Sequence, residues 1–153
     1  DNPDLETQKF DAVLMSHIIE HFDYKSLFEM MNGYLGKLND GGYLVIATPI
    51  LSRRFYDNFD HVKPYTPIAI EEVFGRRGLQ VQFQAAHELE LVDLWIRRRS
   101  FTLQLFPSLL RRRMSFGKIV LGGVNVLMQL VHLLSLRLIG TSDGWAGIYR
   151  KIQ

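Results

Sequence analysis

Two apolar runs with different neighbours set the pattern of this chain. Phe10–Met15 is a compact apolar run and Tyr43–Ala47 a second one rich in β-formers; both have the length of buried parallel strands. Between them Leu27, Phe28, Met30, Met31, Tyr34, Leu35 and Leu38 recur at helical spacing, which predicts a helix with one inward face. Asp23 is placed to cap its start, and Asn39-Asp40-Gly41-Gly42 to end it and turn the chain. Strand, helix and strand in this order make a βαβ unit, whose crossover is almost always right-handed. Ligands of open parallel sheets sit beyond the carboxyl ends of the strands. That rule puts Ser16-His17 and Glu20-His21, after the first strand, and Thr48-Pro49, after the second, at a potential site.

Residues 50–67 read as a polar, aromatic loop of the kind that lies over an active site. Thr66-Pro67 supplies an N-cap and a proline at the first helical position, with Glu71 and Glu72 near the helix's positive end. That helix, with Ile68, Ile70, Val73 and Phe74 as its apolar residues, is predicted to reach Arg77 and to be stopped by Gly78. Leu79–Gln84 alternates strictly, a strand with one wet face, and Trp145–Ile152 reads as a closing strand pairing antiparallel with it. The segment between, Leu94–Thr141, reads as an insertion divided by Pro107 into two helical pieces. In the second piece Lys118, Gly122, Asn125, Gln129 and His132 form one narrow polar stripe on an otherwise aliphatic helix. Ile119–Ile139 reaches the length of about 20 residues that a membrane span needs. The stripe and Arg137 favour instead a helix lying in the lipid interface, or a cap packed on the domain or on a second subunit as a homodimer.

Composition alters this picture in two places. The 153 residues, 47% of them hydrophobic, suffice for one domain or part of one. With no cysteine, disulfides and thiolate metal sites are excluded, which fits a reducing, cytoplasmic setting. The opening DNPDLETQ is no signal peptide, and a buried strand within ten residues of it leads us to expect that an N-terminal half is lacking. Charge is the second place. Between Asp93 and Asp143 there is no acid, yet Arg97, Arg98, Arg99, Arg111, Arg112, Arg113, Lys118 and Arg137 lie there, and the rest of the chain carries a net of −6. Such asymmetry predicts an anionic partner, the inner face of a membrane, reached through residues 94–141. Nucleic acid is disfavoured because the segment is aliphatic rather than aromatic.

FDAVLMSHIIEHF, then LNDGGYLVIATP, then DHVKPYTPIAIEEVFGRRGLQV resembles the C-terminal part of a class I S-adenosylmethionine-dependent methyltransferase. The resemblance runs from Phe10 to about Ala85 and resumes over Trp145–Ile152; the family's glycine-rich loop and ribose-holding acid are absent. It implies an α/β, Rossmann-like, mostly parallel sheet with a closing antiparallel strand pair, lacking its N-terminal half and carrying an α-helical insertion. It also implies S-adenosyl-L-methionine as cofactor and a small or lipid-linked acceptor, methylated at oxygen. Ser16 and His17 would border the cofactor's methionine end, and Asp1 would correspond to the acid that meets the adenine amine.

Methyl transfer from a sulfonium is an in-line displacement, so an enzyme contributes mainly positioning, with a base where the acceptor is a hydroxyl. His61 is the leading base or acceptor-orienting group, with Asp60 fixing its tautomer. His17 is placed to face the acceptor, His21 to act beside it, and Thr48, Tyr56, Tyr65 and Arg53 to line the acceptor pocket. The plainer reading of each histidine is a loop residue bonded to backbone or water, and Glu20 is read as shaping the loop. No metal site is expected: His17 and His21 stand four apart, but Glu20 is misplaced for an H-E-x-x-H motif. Two other classes compete with the enzyme. One is a non-catalytic, degenerate methyltransferase-fold module that docks to a membrane or a partner subunit. The other is a nicotinamide-dependent Rossmann enzyme, against which the closing antiparallel pair speaks.

Overall fold

The computed structural model describes residues 8–52, 54–75, 83, 85–103 and 116–152. Among them the order is β1 (Phe10–Ser16), α1 (Tyr24–Lys37), β2 (Leu38–Pro49), α2 (Pro67–Phe74), β3 (Leu89–Arg99), α3 (Phe116–Leu134) and β4 (Thr141–Lys151), with short 3-10 turns at Ile19–His21 and Phe55–Asp57. The strands form one sheet in the order β1-β2-β4-β3, a mixed α/β architecture in which β1 and β2 run parallel and β4 antiparallel to β2.

The βαβ unit forms as its pattern dictates. Asp23 caps α1: its Oδ1 accepts from the backbone N–H of Lys25 at 2.8 Å and of Ser26 at 3.1 Å. Leu27, Met31 and Leu35, four apart, are the buried line of α1. β1 then pairs parallel with β2, from Ala12 against Tyr43 to Ser16 against Ala47. Asn39-Asp40-Gly41-Gly42 does turn the chain, but inside the strand rather than before it. Phe10 pairs with Leu38 and Ala12 with Tyr43, so the four residues are bulged out of the ladder. Gly41 at φ +79° takes the left-handed step, and a Cβ on Gly42 would press on the carbonyls of Asn39 and Asp11. Lys151 Nζ closes the bulge, donating to Leu38 O at 2.9 Å and pairing with Asp40 at 3.0 Å.

Three expectations are corrected. α2 stops at Phe74, not Arg77, because Gly75 leaves the helix with extended backbone while its N–H still reaches Glu71 O at 2.8 Å, and it bridges in parallel to Leu89. β4 pairs antiparallel with β2, Tyr43 against Arg150 through Pro49 against Gly144, rather than with a strand at Leu79–Gln84, which lies outside the described residues apart from Phe83. Leu94–Arg99, expected to open a helical piece, is the second half of β3. The alternation Glu88-Leu89-Glu90-Leu91 starts that strand, and Trp95 and Ile96 are β-formers that extend it.

The core is built from Met15, Ile19, Leu27, Met31, Leu35, Leu44, Ile46, Ile70, Phe74, Trp145 and Tyr149. Trp145 donates its indole N–H to Tyr65 O at 2.8 Å, tying β4 to the loop before α2. The chain divides into two compact units, Asp1–Ile96 with Gly144–Gln153, and Arg97–Asp143. Within the second, Arg97 and Arg99 pair with Asp143, Asn125 bonds both backbone groups of Leu103, and His132 Nδ1 donates to Ile139 O at 2.6 Å.

Candidate functional site

β1 ends at Ser16, and His17 comes next with φ +53°, a left-handed conformation that an L-residue adopts at a cost. The step is held by His17 N–H donating to Ala47 O at 2.8 Å, so both strand ends are fixed to each other. The chain then makes the 3-10 turn Ile19–His21, which buries Ile19 and Glu20 completely.

Glu20 is the hub on which the surrounding loops converge. Its Oε1 accepts from His17 Nδ1 at 3.2 Å and its Oε2 from the Thr48 hydroxyl at 2.9 Å, so one carboxylate joins the ends of β1 and β2. Its backbone carbonyl accepts from Val62 N at 2.8 Å and Lys63 N at 3.2 Å, which pins the 55–63 loop beside the turn. His61 is thereby carried to His21, with ring centroids 5.1 Å apart in an edge-on arrangement. His21 Nδ1 faces two acceptors of Asp60, the carbonyl at 3.1 Å and the carboxylate at 3.2 Å. His61 Nδ1 faces the Phe55 carbonyl at 2.7 Å, and its ring leans on Phe55 at 4.6 Å. Every partner is an acceptor, so each ring donates from Nδ1, and in the neutral imidazole Nε2 is the nitrogen that holds the lone pair.

The structure therefore brings His17, His21 and His61 to one place, around a carboxylate that the sequence marks only as a loop-shaping residue. Asp60, expected to orient His61, orients His21; the orienting group of His61 is a backbone carbonyl, which no side-chain motif could reveal. Thr48, expected to line the acceptor, is buried with its hydroxyl committed to Glu20. Tyr56 is exposed and stacks edge-on against Phe55 at the rim. Ser16 is exposed at the end of β1. Arg53 and Asp1 lie outside the described residues.

Tyr65 faces elsewhere. It donates its hydroxyl to Phe22 O at 3.0 Å, and burial, with Asp23 nearby, pushes its phenol up to about 12. It lines a cleft of about 320 Å³ between α1 and α2, together with Tyr24, Phe28, Lys63, Ile70 and Phe83.

No family model and no curated protein matches the sequence. Among solved structures, the chain is similar to the crystal structure of a SAM-dependent methyltransferase from Archaeoglobus fulgidus, with 21% identity and a TM-score of 0.49. The likeness covers 95% of this chain and 61% of that one, so the chain spans less than two thirds of that protein's length.

Proposed function

We propose that this chain forms the acceptor-side portion of a methyltransferase that transfers a methyl group from S-adenosyl-L-methionine to an oxygen of a small or lipid-linked acceptor. The observation that carries the reading is the junction of His17, His21 and His61 through Glu20 at the carboxyl ends of β1 and β2, where an open α/β sheet places its ligand. The order of motifs from Phe10 to Ala85 supports the donor. S-adenosylmethionine, when bound, supplies an electrophilic methyl carbon on a sulfonium. The described residues suit one side of it only. Ser16 and His17 border its methionine end, but no described residue belongs to a glycine-rich loop or offers a ribose-holding acid. The chain's own part is to hold the acceptor in line and take its proton. His61, oriented through Nδ1 by Phe55 O, is the base through its Nε2, and His21 Nε2 is the second acceptor beside it. The test is calorimetric titration of S-adenosylhomocysteine into the full-length gene product, with the 153-residue chain as control. Binding to the former and not the latter is the expected outcome; failure of both removes the donor from the reading.

A second observation favours a lipid-linked acceptor. α3 is turned inside out: Asn125 and His132 from its polar stripe are bonded inward, while Ile119, Val126, Leu127, Leu130, Leu133 and Leu134 are half or more exposed. The segment around it is free of acids and carries the two arginine triplets. An apolar face in so basic a stretch of sequence is the chemistry of an anionic bilayer surface, and we assign that surface, the inner face of a membrane, as its occupant. Vesicles with one third anionic phospholipid should sediment the protein, whereas neutral vesicles leave it in solution. Replacing Leu127 and Leu130 by Glu should abolish sedimentation. A stable dimer in lipid-free buffer that the same replacement dissociates would give the face to a second copy instead, and the docking module without catalysis would then remain.

A further inference from the structure

We propose that Glu20, His21 and His61 form a three-ligand site for a divalent first-row transition-metal ion. Each offers one ligand atom, and these atoms lie within 4.8 Å of one another. Two imidazoles and a carboxylate suit zinc, cobalt or iron, whereas magnesium and calcium prefer oxygen alone. Ligand atoms around a tetrahedral zinc sit roughly 3.3 Å apart, given bonds near 2.0–2.1 Å. Reaching that spacing from the separations here requires His21 and His61 to draw in, and neither is fully buried.

The surroundings, more than the spacing, separate this cluster from a chance meeting of polar side chains. Metal-binding histidines donate their other N–H to a carbonyl or carboxylate, which fixes the tautomer and points the lone pair at the ion. Both rings here do so: His21 Nδ1 to Asp60 and His61 Nδ1 to Phe55 O. The ligating carboxylate is itself held, by His17 Nδ1 on one oxygen and the Thr48 hydroxyl on the other, and each oxygen retains a lone pair. The Glu20 carbonyl grips Val62 and Lys63, so the residue that supplies the carboxylate also sets the loop that supplies His61. Glu20 is fully buried and Asp60 and Tyr56 are exposed, so the cluster has a closed floor and an open rim by which an ion enters. No sequence motif announces the cluster, because the histidine spacing fits no metal pattern and the third ligand is 40 residues away.

Three protein ligands leave a coordination position open, as in catalytic rather than structural sites. The use we assign to that position, holding and acidifying an acceptor hydroxyl, rests on the methyl-transfer reading and, with the ion bound, replaces the base role given there to His61, whose Nε2 lone pair is then committed to the metal. The site itself does not, and the test keeps them apart. Co²⁺, and separately Zn²⁺, is titrated into the chelator-treated, untagged 153-residue chain, followed by calorimetry and by visible absorption of Co²⁺. One ion per chain is expected, with no competition from millimolar Mg²⁺. His21→Ala and His61→Ala should weaken binding by about 100-fold and Asp60→Asn, which leaves all three ligands in place, by about 10-fold. Near-UV circular dichroism of each variant checks the fold; Asp60→Asn supplies the reading if an alanine variant unfolds. Absence of stoichiometric binding to the wild-type chain overturns the proposal. So does binding that survives both histidine replacements in folded protein. Metal binding without any binding of S-adenosylhomocysteine by the full-length protein would leave the site standing and remove only its assigned use.

Discussion

Tyr149 places its hydroxyl in the core with no hydrogen-bond partner among the described residues, and burial beside Glu71 pushes its phenol well above the usual range. An orphaned buried hydroxyl opposes folding. Tyr149→Phe should therefore raise stability, by about 1 kcal/mol, read from denaturant unfolding. The opposite is expected at Thr48, whose hydroxyl satisfies a buried oxygen of Glu20. Thr48→Val keeps the shape and strands that acceptor, at a cost of about 1–3 kcal/mol in the same measurement. Both effects turn on a single oxygen. Nothing in the sequence around Thr48 or Tyr149 separates the satisfied hydroxyl from the orphan. That difference is set by residues 28 positions away in one case and by the packing of the whole sheet in the other.

The legible elements are those that local chemistry determines. Asp23 and Thr66 cap their helices as expected, since a cap needs only the next three residues. The buried face of α1 follows from periodicity, and β1 from its compact apolar run, although the strand expected to be buried has only Met15 inside and Leu14 exposed. β3 escapes such a reading because its basic C-terminal half, Arg97–Arg99, shares its charge with the helical segment beyond, and charge hides the alternation. The partner of β4 is a matter of long-range register, on which the sequence is silent. The bulge in β2 yields a prediction at this scale. The Lys151 ammonium holds the Asp40 carboxyl below its ordinary value of 3.8, so the folded state binds fewer protons there than the unfolded chain. Its stabilisation is thus present above that value and is lost as pH falls through it towards the lower folded value. Melting temperatures from pH 6 to 3 should fall more steeply for wild type than for Asp40→Asn, all else titrating alike.

On the scale of the molecule, the division at Ile96 and Gly144 assigns the candidate site to one unit and α3 to the other. Replacing residues 97–143 by a short glycine-rich turn should leave a protein that melts cooperatively and retains Co²⁺, but no longer sediments with anionic vesicles. Loss of folding on excision would show that the first unit depends on the second. The sheet order has a consequence in time. β2 is hydrogen-bonded on both sides, while β1, among the described strands, has a neighbour on one side only. In hydrogen exchange the amides of β2 should be the last to open and those of β1 among the earliest of the sheet. Glu20 and His17 hang from the strand that opens early, and Thr48 from the one that opens late. Warming should dismantle the ligand cluster while most of the sheet persists, so that function is lost some degrees below the melt and returns on cooling.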